Sequence, residues 1–500
     1  MTGARRPNLL FLFSDQHCQK ITGCYGDKVV DTPSLDGLAA RGVVFDNAYC
    51  PSPICVPSRM SFLTGRHPYA QDCWTNDDFL ASDRPTLAHA LGAAGYEPVL
   101  IGRLHAMGPD QLHGYVRREI GEHSPNWIGI ARHDLGVLAG ANDPTPESLE
   151  RSGPGQSAYE LKDGEVAAAA RRYVDEVGAR RRRGDETPFC LTVGFMLPHP
   201  PYVARPEDYA RYENRVPPPA FPDPGPAGSH PWLRWWRENR GIAAVPERAV
   251  MRARTAYYGL VTRLDALVGG ILGALRANGL EQDTLVVYST DHGDQLGERG
   301  LWWKHTFFDE SVKVPLILAW PGRLPEGERR GQVVNLVDLT ATMLEALGAS
   351  PLPGAQGRSF LDVARRAAAP WLDETVSEYC TDASPDWTGG MAVQTRMLRS
   401  GRWKLNYYHG YEPQLFDLAG DPAEQTDLAA SPAHATIRQA LLERLLADWD
   451  PEAVRRRMRA RRLDKDVLGA WARHVRPESQ HIWALRPEQN RLEARTREDG

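Results

Sequence analysis

Short apolar runs alternate with amphipathic segments near the start of this chain, and this alternation restricts the fold more than any other feature of the sequence. The apolar runs are NLLFLF at 8–13, VVFDNAY at 43–49 and EPVLIG at 97–102, and the segments between them are SLDGLAARG at 34–42 and TLAHALGAAG at 86–95. Strands that are buried on both faces are typical of parallel sheets, because helices cover both sides of such a sheet. We therefore expect an α/β fold with a large, mixed, mostly parallel sheet sandwiched by helices.

The same pattern continues to about residue 345. An apolar stripe at 257–279 predicts a core helix that ends at Gly279, and TLVVYST at 284–290 predicts the next strand. One face of that predicted helix carries Leu260, Leu264, Leu267, Ile271 and Leu275. The proline-rich stretch VPPPAFPDPGPAG at 216–228 predicts an ordered surface loop, because proline fits neither a helix interior nor a central strand.

The composition changes near 350–370, which suggests a boundary. Beyond it, RMLRSGRWKLNYYHGYEPQLFDL at 396–418 alternates like two antiparallel strands, and a helix is predicted at 434–447. We predict a main α/β domain over 1–365, a smaller α+β domain over 366–450, and a tail over 451–500. The tail contains RRRMRARR at 455–462, which we interpret as a solvated helix face or a contact with a second copy of the chain.

Composition and charge exclude several classes of partner. The formal charge of -5 at pH 7 provides no broad basic field for nucleic acid. The seven cysteines are irregularly spaced and contain no C-x-x-C pair, which favours neither a disulfide framework nor a structural zinc site. The apolar run in MTGARRPNLLFLFSDQ is too short for a signal peptide or a membrane span. We therefore expect a cytoplasmic protein that acts on a small molecule.

Polar side chains with catalytic chemistry follow four of the apolar runs. Ligands of open α/β sheets bind at the carboxyl ends of the strands, so these side chains are expected to converge there. The residues are Asp15, Gln16, Arg103, His105, His199, Asp291 and His292. Each alone could be a helix cap or a loop contact, so the prediction depends on their convergence with Cys55.

One group among these residues and a separate lysine suggest an anion site with a metal. The first offers mostly oxygen ligands with one imidazole, which suits calcium, magnesium or manganese better than zinc. Its members are Asp15, Gln16, Asp291 and His292. The second is Lys304 in LWWKHTFF, where a lysine either extends to the surface or lies in a pocket that meets an anion.

The stretch CVPSRMSFLTGR at 55–66 frames one cysteine with polar residues. A strand-to-helix turn would explain its apolar residues but not Ser58, Arg59 or Arg66. The stretch resembles the type I sulfatase signature, C-x-P-S-R followed by x-x-x-L-T-G-R, at every specified position. The segments SDQ, GRLH, MLPHPPY, STDHGDQLGERG and QLFDLAGDPAEQTDLA extend this resemblance over about residues 7–430. The chain is identified as a member of that family, in the alkaline phosphatase superfamily, with its sandwiched sheet.

The resemblance implies a sulfuric ester hydrolase that depends on a modified cysteine. A maturation enzyme is expected to oxidise Cys55 to formylglycine, whose hydrate is the nucleophile. One divalent metal, calcium first with manganese and magnesium as alternatives, is expected on the four metal ligands named above.

The resemblance also implies a role for each remaining motif residue. Arg59 would orient the hydrate, and Lys304 and Arg103 would neutralise the sulfuryl oxygens. His199, with Lys304, would protonate the leaving alkoxide, and His105 would act as the base when sulfate is released. The chain departs from the common pattern at Gln16 and His292, where many members have Asp and Asn, and at Arg103, where lysine is usual.

Three functions stay open at this point. The first is hydrolysis of a small soluble sulfate monoester such as choline sulfate, because NDDFLASDRPTLAHAL and GERGLWWKHTFF resemble the choline-sulfatase branch. Asn76 would then contact sulfate, and Trp127 and Glu378 are candidates for binding a quaternary ammonium. The second is hydrolysis of a phosphonate monoester or phosphodiester, which His105 and the cation at position 103 disfavour. The third is an anion-binding protein with unmodified Cys55, which the filled motif positions disfavour.

Overall fold

The computed structural model describes residues 6–382 and 392–493. The strands are β1 (Asn8–Asp15), β2 (Val43–Tyr49), β3 (Glu97–Gly102), β4 (Arg117–Glu119), β5 (Gly153–Gln156), β6 (Phe189–Pro198), β7 (Val203–Ala204), β8 (Thr284–Thr290), β9 (Ile317–Ala319), β10 (Glu328–Asn335), β11 (Glu374–Cys380), β12 (Gln394–Ser400), β13 (Trp403–Tyr408), β14 (Gln414–Asp417) and β15 (Arg491–Leu492). The helices are α1 (Pro33–Ala40), α2 (Cys55–Thr64), α3 (Leu87–Ala93), α4 (Glu147–Glu150), α5 (Ala158–Arg182), α6 (Pro206–Ala210), α7 (Gly225–Gly228), α8 (Pro231–Asn239), α9 (Glu247–Ala277), α10 (Asp309–Val312), α11 (Leu336–Ala346), α12 (Leu361–Arg365), α13 (Ala435–Leu446) and α14 (Pro451–Val475).

An eight-stranded sheet forms the centre of the fold, in the order β10-β2-β9-β8-β1-β6-β3-β4. Strand β9 runs antiparallel to β2 and β8, and the other neighbouring pairs are parallel. The predicted large, mixed, mostly parallel sheet is therefore confirmed.

Alternate residues of β1 face two separate hydrophobic cores. Leu9 and Phe11 belong to the core that contains residues of α2, α3 and α11, whereas Leu10 and Leu12 belong to the core that contains residues of α5 and α9. Successive side chains of a strand point to opposite faces, so a strand between two helical layers is apolar throughout. This burial on both faces is the physical reason for the unbroken apolar run at 8–13.

The predicted core helix is confirmed as α9, which begins earlier than the apolar stripe. It starts at Glu247, and Gly279 follows its end in a left-handed conformation with φ of 66°. By length and composition alone, α9 is the one helix among the described residues that could cross a membrane. It lies inside the fold instead, and 61% of its most apolar stretch is buried.

The predicted smaller α+β domain is confirmed as a four-stranded antiparallel sheet, β11-β12-β13-β14, that packs with α13. The segment 396–418 contributes to three strands and not to the two that we predicted. It turns twice, at Gly401 and Gly410, which adopt positive φ values of 55° and 85°. Glycine adopts this conformation without the steric cost that a β-carbon would add. The proline-rich stretch also differs in part from the prediction, since Gly225–Gly228 forms the short helix α7.

The tail packs against its own chain through α14. Arg457, Arg461 and Lys465 share one face of this helix, and each forms an ion pair with Asp72 or Asp78. Part of the arginine-rich stretch is therefore bound within the chain. Contact with a second copy and the predicted domain boundaries stay predictions. Residues 1–5, 383–391 and 494–500 of the predicted domains and tail lie outside the described residues.

Candidate active site

The predicted site residues meet at one edge of the central sheet. Strands β8, β1, β6 and β3 are parallel neighbours, so their carboxyl ends lie side by side. Asp15 ends β1, Arg103 follows β3, His199 follows β6, and Asp291 follows β8. Cys55, the first residue of α2, is buried beside them with 1% of its surface exposed.

Polar groups surround the sulfur of Cys55. Its Sγ lies 3.0 Å from Lys304 Nζ, 3.2 Å from His292 Nε2 and 3.8 Å from Asp15 Oδ1. The N–H of Val56 donates to Asn76 Oδ1 at 3.0 Å and so ties a neighbouring loop to the start of α2. A thiol at the positive end of a helix, beside an ammonium, is in a site built for negative charge.

Arg59 links the two carboxylates at the base of the site. Its Nε donates to Asp291 Oδ2 at 2.8 Å, and its second terminal nitrogen donates to Asp15 Oδ2 at 3.1 Å. Burial alone would raise the pKa of Asp15, but Arg103 and Arg59 outweigh it and hold this pKa well below its usual value. Asp15 is therefore held ionised although it is fully buried.

Four side chains of the site place their potential metal-ligand atoms in a cluster that fits a divalent cation. One ligand atom from each of Asp15, Cys55, Asp291 and His292 lies within 4.8 Å of the others, and all four residues are buried. His292 Nδ1 lies 3.0 Å from the carbonyl oxygen of Gly293, which places its proton on Nδ1 and leaves Nε2 as an acceptor toward the cluster. Two carboxylates and one neutral imidazole suit calcium, magnesium or manganese.

Gln16 lies next to this cluster, and its amide is held from both sides. Its Oε1 accepts from Lys304 Nζ at 2.8 Å, and its Nε2 donates to Asp294 Oδ2 at 2.6 Å. The lysine can only donate, which identifies the oxygen of the amide. Gln16 has φ of 65°, and the hydroxyl of Tyr257 donates to its carbonyl at 2.7 Å.

Arg103 and His105 form a contact pair above Asp15. Arg103 Nε donates to Asp15 Oδ2 at 2.6 Å, and a terminal nitrogen of the guanidinium donates to His105 Nδ1. Burial and the Arg103 charge hold the pKa of His105 well below its usual value. Because arginine can only donate, the neutral ring carries its proton on Nε2 in this arrangement. A base role for His105 would require Nδ1 to part from Arg103.

A pocket of about 460 Å³ opens from Cys55. Its lining includes predicted residues Asn76, Arg103, His105, Trp127, His199 and Lys304. Trp127 is fixed by edge contacts with Phe79 and with Trp471 of α14, at ring distances of 6.3 and 5.2 Å. The pocket therefore joins the reactive end of the site to an aromatic side chain.

Glu378 does not line this pocket, which corrects its predicted place beside the substrate. It lies on β11 with 2% of its surface exposed, and its carboxylate accepts the backbone N–H of Tyr69. Burial raises the pKa of Glu378 to about 7 despite the nearby charge of Arg396. Its orientation follows from how the small sheet packs on the main domain, and alternation along β11 does not reveal this.

Three acidic residues at the site were missed from the sequence. Asp77 and Glu122 line the pocket, and Asp294 holds Gln16. Asp77 adjoins Asn76 in NDDF, and Asp294 lies in DHGDQ, so both had a local signal beside a predicted residue. Glu122 had none, because the loop after β4 brings it to the pocket from a part of the sequence without a motif.

Comparisons with known proteins agree with this geometry. Residues 7–349 match the Sulfatase family, and residues 297–449 match the family described as N-sulphoglucosamine sulphohydrolase, C-terminal. The choline-sulfatase of Rhizobium meliloti (strain 1021) is 32% identical over 475 residues, which cover 90% of this chain and 88% of that protein. The multifunctional alkaline phosphatase superfamily protein PehA of Trinickia caryophylli is 26% identical, over 88% of this chain and 95% of that protein.

A solved structure shows the same fold. The phosphonate monoester hydrolase of Agrobacterium radiobacter superposes with a TM-score of 0.73 at 24% identity, over 88% of this chain and 95% of that chain. This likeness supports the sandwiched sheet with its smaller C-terminal sheet. The family match over 7–349, together with the choline-sulfatase relative, establishes more than the fold. The chain belongs to the sulfatase family of the alkaline phosphatase superfamily and is a sulfuric ester hydrolase.

Proposed function

We propose that this chain hydrolyses the sulfate monoester of a small cationic alcohol, with choline sulfate as the first ester to test. The observation that carries the proposal is the position of Cys55 within 3.8 Å of Lys304, His292 and Asp15, at the base of a pocket that also bears Trp127. The choline-sulfatase relative at 32% identity supports this choice of alcohol.

The nucleophile is formylglycine made from Cys55 by a maturation enzyme. The Sγ atom stands in for the nucleophilic oxygen, and its three polar neighbours fit an oxygen better than a structural thiol. Cys190, by contrast, lies within the hydrophobic core of the central sheet. The hydrate would supply one hydroxyl for attack on sulfur and a second whose deprotonation releases sulfate.

The surrounding side chains neutralise charge and move protons. Lys304 Nζ lies 3.0 Å from Sγ, where it can donate to a sulfuryl oxygen or to the leaving alkoxide. His199 lines the pocket, and its Nδ1 lies 2.6 Å from the carbonyl oxygen of Pro200. That contact leaves Nε2 of His199 to exchange a proton with the alcohol.

Asp15, Asp291 and His292 would hold a divalent metal, with Gln16 as the fourth proposed ligand. Such an ion would polarise a sulfate oxygen and acidify the attacking hydroxyl. Calcium is the first candidate because most donors are oxygens, and the imidazole of His292 admits manganese. Arg59 keeps both carboxylates oriented toward the cluster through its two hydrogen bonds.

A cationic alcohol fits the distal part of the pocket. Trp127 offers an aromatic surface, and Asp77 lines the pocket with a carboxylate in place of Glu378. Lys465 forms ion pairs with Asp78 at 3.2 Å and with Asp382 at 3.6 Å. The charge of Lys465 also acts on Asp77. Arg461 and Arg132 also lie near these carboxylates, and Asp77 is the one of the three that lines the pocket, where a quaternary ammonium would contact it.

The substrate test compares two esters of the same shape. Matured enzyme should hydrolyse choline sulfate with kcat/KM about 10-fold to 100-fold above 3,3-dimethylbutyl sulfate, in which carbon replaces the ammonium nitrogen. Asp77→Asn should reduce this ratio about 5-fold to 10-fold and leave the neutral ester almost unaffected, because only the charge is removed. Equal rates for the two esters would contradict a cationic alcohol.

A nitrophenyl sulfate and a phosphonate monoester complete the assay. Phosphonate hydrolysis is the second candidate function, favoured by the similar fold of two phosphonate monoester hydrolases. A higher kcat/KM on the phosphonate than on every sulfate ester would favour it. The cytoplasmic location, the maturation enzyme as partner and self-association stay predictions.

A further inference from the structure

Glu122 is a buried carboxylate that contacts hydrogen-bond donors on several sides. Its Oε1 accepts the backbone N–H groups of Leu104 at 2.8 Å and His105 at 2.6 Å, and also a guanidinium nitrogen of Arg118 at 2.6 Å. Its Oε2 lies 3.5 Å from a terminal nitrogen of Arg103. The 3% exposure of Glu122 means that these contacts are not shared with bulk water.

These contacts hold two residues of the reactive site in their arrangement. His105 has φ of 60°, a left-handed conformation that is costly for a residue other than glycine. The carboxylate offsets this cost by accepting two consecutive N–H groups. The carboxylate of Glu122 also lies near a terminal nitrogen of Arg103, whereas Asp15 accepts from Nε of the same guanidinium. Together the two carboxylates fix the plane of the guanidinium.

A segment of the C-terminal tail, residues 479–483, forms hydrogen bonds with the backbone around Glu122. The N–H of Glu122 donates to the carbonyl of His481 at 2.8 Å, and the N–H of Trp483 donates to the carbonyl of Glu122 at 2.7 Å. Nearby, the N–H of Asn126 donates to Ser479 Oγ at 3.1 Å. A β-carbon on Gly121 would lie 1.8 Å from the carbonyl oxygen of His481, so the two backbones are in close contact.

We propose that Glu122 is a positioning residue that sets Arg103 and His105 for catalysis, and that residues 479–483 of the tail hold Glu122 in place. The inference rests on the proposed function for the roles of Arg103 and His105. It assigns the tail a part in the active site of its own chain, although this part of the tail does not line the pocket.

The first test is a cycle of substitutions measured on the ester that the enzyme hydrolyses fastest. Glu122→Gln presents an amide nitrogen to partners that are all donors, so kcat should fall about 30-fold with a smaller change in KM. In a His105→Ala or Arg103→Ala background, the same change should lower kcat about 3-fold or less, because the group that Glu122 positions is already absent. A 30-fold loss in both backgrounds would overturn the proposal.

The second test disturbs the tail contact without touching a pocket residue. Gly121→Ala forces the His481 carbonyl away and should lower kcat about 5-fold to 10-fold. Gly164→Ala on α5, where an added β-carbon meets nothing within 4 Å, is the matched control and should keep wild-type kcat. Wild-type kcat in Gly121→Ala would show that the tail does not act on the site.

Crystal structures of Glu122→Gln and Gly121→Ala separate this inference from the proposed function. We expect His105 to leave its left-handed conformation or Arg103 to shift from Asp15 in at least one variant. Unmoved Arg103 and His105 in both would overturn the positioning role, even if kcat falls. Absence of turnover in the matured wild-type enzyme would count against the proposed function, and the crystal structures would still decide the role of Glu122.

Discussion

Cys55→Ser should lower steady-state turnover of sulfate esters at least about 10⁴-fold, although serine keeps an oxygen nucleophile at the start of α2. A serine side chain has one hydroxyl, so a sulfate that it accepts has no second hydroxyl to expel it. A hydrated aldehyde carries two hydroxyls, one to accept the sulfate and one to expel it. The expected result is therefore a stalled enzyme whose fold is intact, which steady-state kinetics and thermal unfolding together would reveal.

The control for this variant is Cys24→Ser, which makes the same change at a half-buried cysteine that does not line the pocket. It should keep wild-type kcat. Mass spectrometry of the peptide that contains Cys55 completes the test, since the active protein should carry formylglycine there. Turnover by the serine variant at a wild-type rate would contradict the proposed nucleophile. An intact thiol in protein from the native host, with sulfate binding and no turnover, would support the anion-binding alternative.

Asp291→Asn, or removal of divalent metal by a chelator, should lower kcat/KM about 10³-fold. The carboxylate of Asp291 is one of the two buried acids in the ligand cluster, and asparagine keeps its shape without its charge. A cation present at a free concentration of 100 times its Kd would stabilise the folded state by about 2.7 kcal/mol. Calcium added to chelator-treated wild-type protein should therefore raise Tm by about 2 to 3 °C, and this shift should disappear in Asp291→Asn.

Asp338→Asn is the matched control for the metal test. Asp338 is equally a buried carboxylate, but it caps α11 and accepts the N–H groups of Asn335 and Arg358. Its substitution should lower Tm through the lost hydrogen bonds and keep the calcium-induced shift. If Asp291→Asn retains the full shift, the metal binds elsewhere. Manganese and magnesium in the same assay would rank the three candidate ions.

The sequence by itself determined the central sheet and which candidate site residues meet at its edge. Strands buried on both faces must be apolar throughout, so β1, β3 and β8 were visible as short runs. Polar residues directly after such strands converge at one edge of a parallel sheet, which located Asp15, Arg103, His199 and Asp291. The spacing around Cys55 identified the family, because all the specified positions of its signature lie within one short stretch of the chain.

Only the tertiary structure decided which distant segments complete the pocket. Glu378 lies on a predicted strand, but the packing of the small sheet turns it toward Tyr69, whereas Asp77 lines the pocket. The backbone of Glu122 forms hydrogen bonds with His481 and Trp483, more than three hundred positions later in the chain. Local periodicity reports which face of an element is buried, whereas these contacts depend on how separate elements pack, and no short stretch of sequence records that.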